Sequence, residues 1–337
     1  MSGTTAADTR RKLDALRAAG TPSATMRTAG WLAAWLPTTR QRVAPSSSRG
    51  YQSVVRSIAP HIGDVPLGIL TPSDVERMTD AIERSGRTAR TAGMARKVLR
   101  LALRKAIRDG LVIRNVAAEA RPPRVVPFQA RTLTADEARR LIDATAEDDL
   151  GPLWAVLIAT GLRQGEALGL AWPDIDMTAG TLTVRRSLGR GWDGRPKLGA
   201  PKSDRSRRTV ALPAAARKAL EAQRTRQDAA REAAGTAWQD VDGLVFTDAV
   251  GRPLVGRYIT PVLRSALARA ELPPIRGHDV RHTNATLQLA AGVPLAVISR
   301  TLGHSTIAIT ADIYAAVTPD LRREAADAMD RALGGAS

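Results

Sequence analysis

Four side chains able to handle a phosphoryl or acyl group fall within one short stretch, Ile275 to Tyr314. It reads I-R-G-H-D-V-R-H-T-N-A-T and then L-G-H-S-T-I-A-I-T-A-D-I-Y, so that His278 and Arg281 are followed by His304 and Tyr314. The spacing of Val280, Leu287 and Leu289 predicts a helix after Gly277, which puts His278 and Arg281 on one face. A guanidinium fork suits phosphate oxygens, imidazoles suit proton transfer, and a phenol can become a nucleophile. His278 and His282 also stand four residues apart, as zinc ligands do. Against a metal, Arg281 shares their face and would repel a dication, and the glutamate of H-E-x-x-H is missing.

Two earlier segments add cations. The apolar run Leu153 to Ala159 predicts a helix ending at Thr160-Gly161, and Leu162-Arg163-Gln164-Gly165-Glu166 opens the next one. An arginine at such a junction can reach an anion together with the free amides of the second helix. Further on, Thr181 to Arg185 and Arg207 to Leu212 read as β-strands around a Gly-rich turn, an antiparallel hairpin or small sheet. From Arg185 to Arg208 there are nine basic residues and two acidic ones, among them Lys197 and Lys202. That density marks an edge facing a polyanion.

With these residues in view, the chain resembles the tyrosine recombinases, the phage-integrase family of DNA strand-transfer enzymes. The likeness rests on H-D-V-R-H-T, on L-G-H-S-T-I ten residues before Tyr314, on T-G-L-R-Q-G-E-A-L-G-L, and on P-K-S-D-R-S-R-R-T-V. It implies six catalytic positions in order: Arg163, Lys202, His278, Arg281, His304 and Tyr314. Arg163 and Arg281 would grip the nonbridging oxygens, with Glu166 orienting them, and His304 would add a hydrogen bond. His278 would be the general base toward Tyr314, and Lys202, preferred over Lys197 on the match, the general acid. The chain departs from the family at Asn284, where an aromatic is usual, and at Ala316, where a histidine often stands. The resemblance implies no cofactor and no metal, double-stranded DNA recombination sites as substrate, and a homotetramer on DNA. It also leaves room for an accessory DNA-bending or directionality protein. Competing readings are a type IB topoisomerase, which religates the same strand, and a catalytically idle DNA-binding relative.

Such a site needs a scaffold, and 337 residues suffice for two domains. A net charge of +17 and a pI near 11.3 call for a polyanionic partner, nucleic acid before anionic membrane. The N-terminus lacks a signal peptide's apolar core, no run of eighteen apolar residues appears, and cysteine is absent. These features fit a soluble protein of a reducing compartment, the bacterial cytoplasm around the nucleoid.

The expected fold is mainly α with a small antiparallel sheet: a helical core DNA-binding domain followed by an α+β catalytic domain. Residues 1–21 form a short segment, too short for the arm-site domain of many family integrases, which leaves a naturally short chain or a truncated one. Residues 22–120 form the DNA-clasping domain, 121–131 a basic, proline-rich linker, and 132–337 the catalytic domain. In the first, helix starts at Met26, breaks at Pro37 and Ser46 to Ser48, and resumes at Tyr51. Trp31 and Trp35 are expected in its core, and His61 in a loop. A longer helix follows Gly86, with Met94, Val98, Leu101, Leu103 and Ile107 as its apolar side. In the second, Thr134 and Glu137 make a capping box. Pro213 to about Ala234 is a helix, Gly243 to Phe246 a short strand, and Tyr51 and Tyr258 serve packing. A last helix after Thr318 carries an apolar side, Leu321 to Leu333, that could dock on a neighbouring subunit.

Overall fold

The computed structural model describes residues 25–126, 130–201, 206–254 and 256–303, with 327, 329, 330 and 333 beyond them. The chain divides into two units, one up to Phe128 and one from Gln129. Lys202, His304, Tyr314, Ala316, residues 1–21 and most of the helix expected after Thr318 lie outside the described residues.

The first unit is helical: α1 (Thr28–Thr39), α2 (Pro45–Ile62), α3 (Pro72–Arg84), α4 (Ala89–Arg108) and the one-turn α5 (Val116–Glu119). Trp31 and Trp35 are buried; the Trp31 indole donates to Ala102 O at 3.2 Å, and Trp35 stacks on Tyr51. The expected break is present, at residues 40–44, but its edges differ from those composition gave. α1 runs through Pro37, which stands on its exposed side near the end, and Ser46 to Ser48 lie in the opening turns of α2 behind Pro45. Proline is at ease at a first helical position, since the amide it lacks would have had no partner there. His61 is exposed but belongs to the last turn of α2 rather than to a loop.

α4 touches each of the other four helices. Its buried side is Ala92, Ala95, Val98, Leu99, Ala102, Leu103 and Ala106, whereas Met94 and Ile107 are exposed, contrary to the expected face. The helical stripe centres on small residues because alanine lets neighbouring backbones come close, and the bulkier Met94 and Ile107 lie off that line.

The second unit starts with α6 (Ala135–Ala144), where Thr134 Oγ1 accepts from Glu137 N and Glu137 Oε2 accepts from Thr134 N, the expected capping box. α7 (Gly151–Thr160) is apolar on every side, and all its residues except Ala159 are buried. A helix without a polar face belongs inside, and α7 is packed against α6 and against three elements that follow it in the chain. These are α8 (Gln164–Leu168), α9 (Ala214–Ala234) and α11 (Gly277–Ala290), while α10 (Gly256–Arg269) and α12 (Leu295–Leu302) complete the helical part.

Strands β1 (Ile175–Asp176), β2 (Thr181–Val184) and β5 (Arg208–Ala211) form an antiparallel sheet in the order β1-β2-β5, with Leu182 opposite Val210 and Val184 opposite Arg208. Leu182, Val184 and Val210 point into the core, as period-two alternation requires. Between β2 and β5 stands a separate hairpin, β3 (Ser187–Arg190) with β4 (Pro196–Gly199). Its base lies on α8: a Cβ added at Gly165 would meet Ser187 Oγ at 2.7 Å and Leu188 O at 2.9 Å. The segment Gly243 to Phe246 is not a strand. Leu244 makes one isolated bridge to Ala171, with Trp172 N donating to Gly243 O and Val245 N to Leu170 O, both at 2.9 Å. The buried Leu244, Val245 and Phe246 are held by these bonds and by side-chain burial rather than by an extended ladder. Among the described residues, no helix is long and apolar enough to cross a membrane.

Candidate active site

α7 stops at Gly161, whose φ of +63° is left-handed. Glycine takes that conformation without strain, and here a side chain would also collide with Asn284 Oδ1 and Leu302 Cδ2. The reversal sends the chain through buried Leu162 to Arg163, the residue that caps α8. Glu166, 3% exposed, accepts from Arg163 N at 3.0 Å and from Arg163 Nη1 at 2.6 Å. A third bond, 2.9 Å long, comes from Arg208 Nη2 on β5. Burial alone would raise the Glu166 pKa, but the hydrogen bonds and charges of Arg208 and then Arg163 hold it below the ordinary glutamate value. A carboxylate kept ionised in this way fixes two guanidiniums at once.

Three arginines converge on the end of α12. Arg208 Nε donates to Thr301 O at 2.5 Å, Arg281 Nη2 to Leu302 O at 2.5 Å, and Arg163 Nη2 to Gly303 O at 2.9 Å. These successive carbonyls belong to a helix C-terminus, where intrahelical donors run out and the dipole favours cations. Arg281 also donates to Gly161 O at 2.8 Å, so one side chain joins the ends of α7 and α12. Arg281 is only 3% exposed. Burial, then the nearby charge of Arg163, pushes its pKa down to about 9, and it remains cationic at neutral pH.

His278 and His282 follow on α11 with ring centroids 4.9 Å apart, edge to face. Desolvation, then His282, then Arg281 hold the His278 pKa below the ordinary histidine value. His282 is lowered as well, by burial first and by Arg281, with Asp279 opposing, and its Nδ1 is buried without a hydrogen-bond partner. Both rings are therefore neutral at pH 7, and His278 can accept a proton. Asp279, buried, takes Arg276 N, Nε and Nη2 at 2.7 to 2.9 Å, which ties down the first turn of α11. Among the described residues no three His, Cys, Asp or Glu side chains cluster as a metal site requires.

Of the six sequence-derived positions, Arg163, His278 and Arg281 lie at this one junction, while Lys202, His304 and Tyr314 fall outside the described residues. Tyr258 is exposed on α10 and Tyr51 packs on the first unit's core. Sequence reasoning passed over Arg208, reading it only as a strand residue. Its one local signal was a basic residue heading an apolar β-run.

The site carries strong positive charge in a partly buried setting: Arg163 and Arg281 side by side, a neutral imidazole beside them, and donors aligned by Glu166 and by backbone carbonyls. Such a set can bind a phosphodiester and stabilise charge that builds on it. Comparison with known proteins shows the family. The phage integrase family matches residues 131–320, and the N-terminal SAM-like domain of phage integrases matches residues 29–81. Tyrosine recombinase XerD of Mycobacterium tuberculosis (strain CDC 1551 / Oshkosh) is 31% identical over 85% of this chain and 92% of its own. The XerC-like tyrosine recombinase of Caldanaerobacter subterraneus subsp. tengcongensis is 29% identical over 78% of this chain and 72% of its own. Among solved structures, the Tn1549 transposon integrase in complex with a circular intermediate DNA superposes with a TM-score of 0.75. At 19% identity, over 90% of this chain and 99% of that one, it shares the fold. The family match spans more than half of the residues and the XerD likeness runs almost end to end, so the chain belongs to the phage integrase family, the tyrosine recombinases.

Proposed function

We propose that this site-specific recombinase cuts and rejoins duplex DNA through a covalent bond between Tyr314 and a 3′ phosphate. Arg163 and Arg281 hold the nonbridging oxygens, and His304 adds a hydrogen bond to the pentacovalent state. The Tyr314 oxygen attacks phosphorus while His278 takes the phenol proton. The bond to the 5′ oxygen breaks, and Lys202 protonates that leaving oxygen. The phosphodiester energy stays in the protein link, so a 5′ hydroxyl of another duplex reverses the step and completes recombination. Tyrosine ionises only near pH 10 in water, so clustered cations are needed for phenolate character during attack. The single observation carrying this reading is the convergence of Arg163 and Arg281, with Glu166 between Arg163 and Arg208, at the ends of α7 and α12.

The first unit clasps the same DNA. α4 carries Arg90, Lys97, Arg104 and Arg108 along one exposed line on a helix without an acidic residue, a face suited to phosphates. Residues 121–131 link the two along the backbone. Exchange between two duplexes cuts four strands with one nucleophile per chain, which calls for four protomers on paired sites. The chain works on nucleoid DNA in the cytoplasm, and a DNA-bending or directionality protein would set the direction of exchange.

The test is a nicked suicide substrate drawn from a duplex library by covalent trapping, run on a denaturing gel with peptide mapping. The parent should give an adduct on Tyr314. Tyr314→Phe, which keeps the ring, should bind equally and give none. An adduct on Tyr51, Tyr258 or a serine would overturn the assignment, and religation confined to the original strand would favour the topoisomerase reading.

A further inference from the structure

The last carbonyls of α7 have no donors within their own helix. Asn284 supplies them: its Nδ2 donates to Ile158 O at 2.8 Å and to Ala159 O at 3.1 Å. Asn284 is 4% exposed and stands three residues after Arg281 on α11, so the two project from the same face. Arg281 takes Gly161 O of the same chain reversal. Gln288 Nε2 donates to Asn284 Oδ1 at 2.6 Å, and this bond fixes the amide with its nitrogen toward α7. The Asn284 amide also fills the space that the missing Gly161 side chain leaves. One buried amide thus joins the helix that carries Arg281 to the turn that leads into Arg163.

We propose that Asn284 is a positioning residue for strand cleavage, holding α11 against the end of α7 and so setting the separation of the two guanidiniums that grip the scissile phosphate. This rests on the recombinase reading above. The aromatic that the family resemblance puts at this position could fill the space, but a plain phenyl ring has no donor for the two carbonyls. The chain uses a polar tether where such a ring would only pack. Loss of the tether leaves the arginines and their charge in place and lets their spacing drift, and a misplacement of about 1 Å costs on the order of 100-fold in rate.

The test uses the full chain and the DNA site recovered by trapping the parent, in two forms: the natural phosphate, and a methylphosphonate that lacks one charged nonbridging oxygen at the scissile position. Asn284→Asp is isosteric but replaces the donor by an acceptor. It should bind the site with the parent's Kd and cleave the natural phosphate about 10- to 100-fold more slowly. The methylphosphonate should slow the parent strongly and the variant proportionally less, because the fork it weakens is already misaligned; coupled changes do not add. Equal fractional slowing of both proteins, or weaker binding with an unchanged cleavage rate, would overturn the positioning role. If circular dichroism shows that Asn284→Asp does not fold, Gln288→Leu decides. It frees the amide from one side only and should give a smaller rate loss with the same non-additivity, and additive behaviour there overturns the role equally. A parent that forms no adduct on Tyr314 brings down the recombinase reading and this one with it, whereas a parent adduct with additive variants sinks the Asn284 role alone.

Discussion

Arginine is used in two ways in the two units. On α4 the cations Arg90, Arg100, Arg104 and Arg108 stand in water on a helix with an alanine-rich buried side. In the second unit Arg281 is buried and the Arg208 side chain is 7% exposed, and with Arg163 they spend donors on Glu166 and on the carbonyls of Gly161, Thr301, Leu302 and Gly303. An exposed cation attracts DNA over a distance set by salt and can be exchanged for its neighbour. A buried one is fixed in direction by several partners, and removing it leaves those partners bare. The comparison teaches that charge provides attraction in one unit and geometry in the other.

The sharpest way to break this contrast is Arg281→Ala. It removes the proposed phosphate donor and the tie between α7 and α12, so adduct formation on the suicide substrate should fall about 100- to 1,000-fold while site binding changes little. A proportional loss of binding would make Arg281 another attracting cation.

Arg208→Ala comes next. It leaves Glu166 buried with Arg163 as its remaining cation and frees Thr301 O, so stability in urea titrations should drop by about 1–3 kcal/mol. A loss below about 0.5 kcal/mol, usual for a surface site, would show that the network is ornamental.

A smaller effect is expected from pH. The His278 and His282 pKa values are lowered in the folded chain, so the unfolded chain binds more protons once pH falls below its histidine value of about 6.5. That part of the stability is present above about pH 6.5 and is lost as pH falls toward the depressed folded values. Urea midpoints at descending pH should decline in the parent and decline less in His282→Gln. An equal decline in both would remove His282 from this account.

The smallest single effects belong to α4. Replacing Arg90, Lys97 or Arg104 by alanine should shift stability by less than about 0.5 kcal/mol. Each replacement should lower the log–log salt slope of DNA binding by about one, the signature of a lost phosphate contact. A parent slope near zero would end the clasp model.

Local signals already carried much of this molecule. The capping box at Thr134, the stop at Thr160-Gly161, the helix holding His278 and Arg281, and the antiparallel pairing of the 181–184 and 208–211 segments all arise from interactions within a few residues or from simple alternation. The family resemblance also implied that Arg163 and Arg281 are partners before any fold was in view. Where local rules met a tertiary demand they failed: α1 runs past Pro37, Met94 and Ile107 face outward, and Gly243 to Phe246 is buried without a ladder.

What the sequence by itself determined is the inventory: two helix-rich units, a surplus of cations, and the order of the groups able to act on a phosphodiester. Only the tertiary structure decided which arginines are buried, that Arg208 joins them, that three of them share the end of α12, and that Asn284 ties α11 to α7. These bonds join residues 21 to 140 positions apart, and no local period encodes which carbonyl a long side chain will meet once helices have packed. That choice is made by the close approach at Gly161 and by the need of every buried carbonyl for a donor.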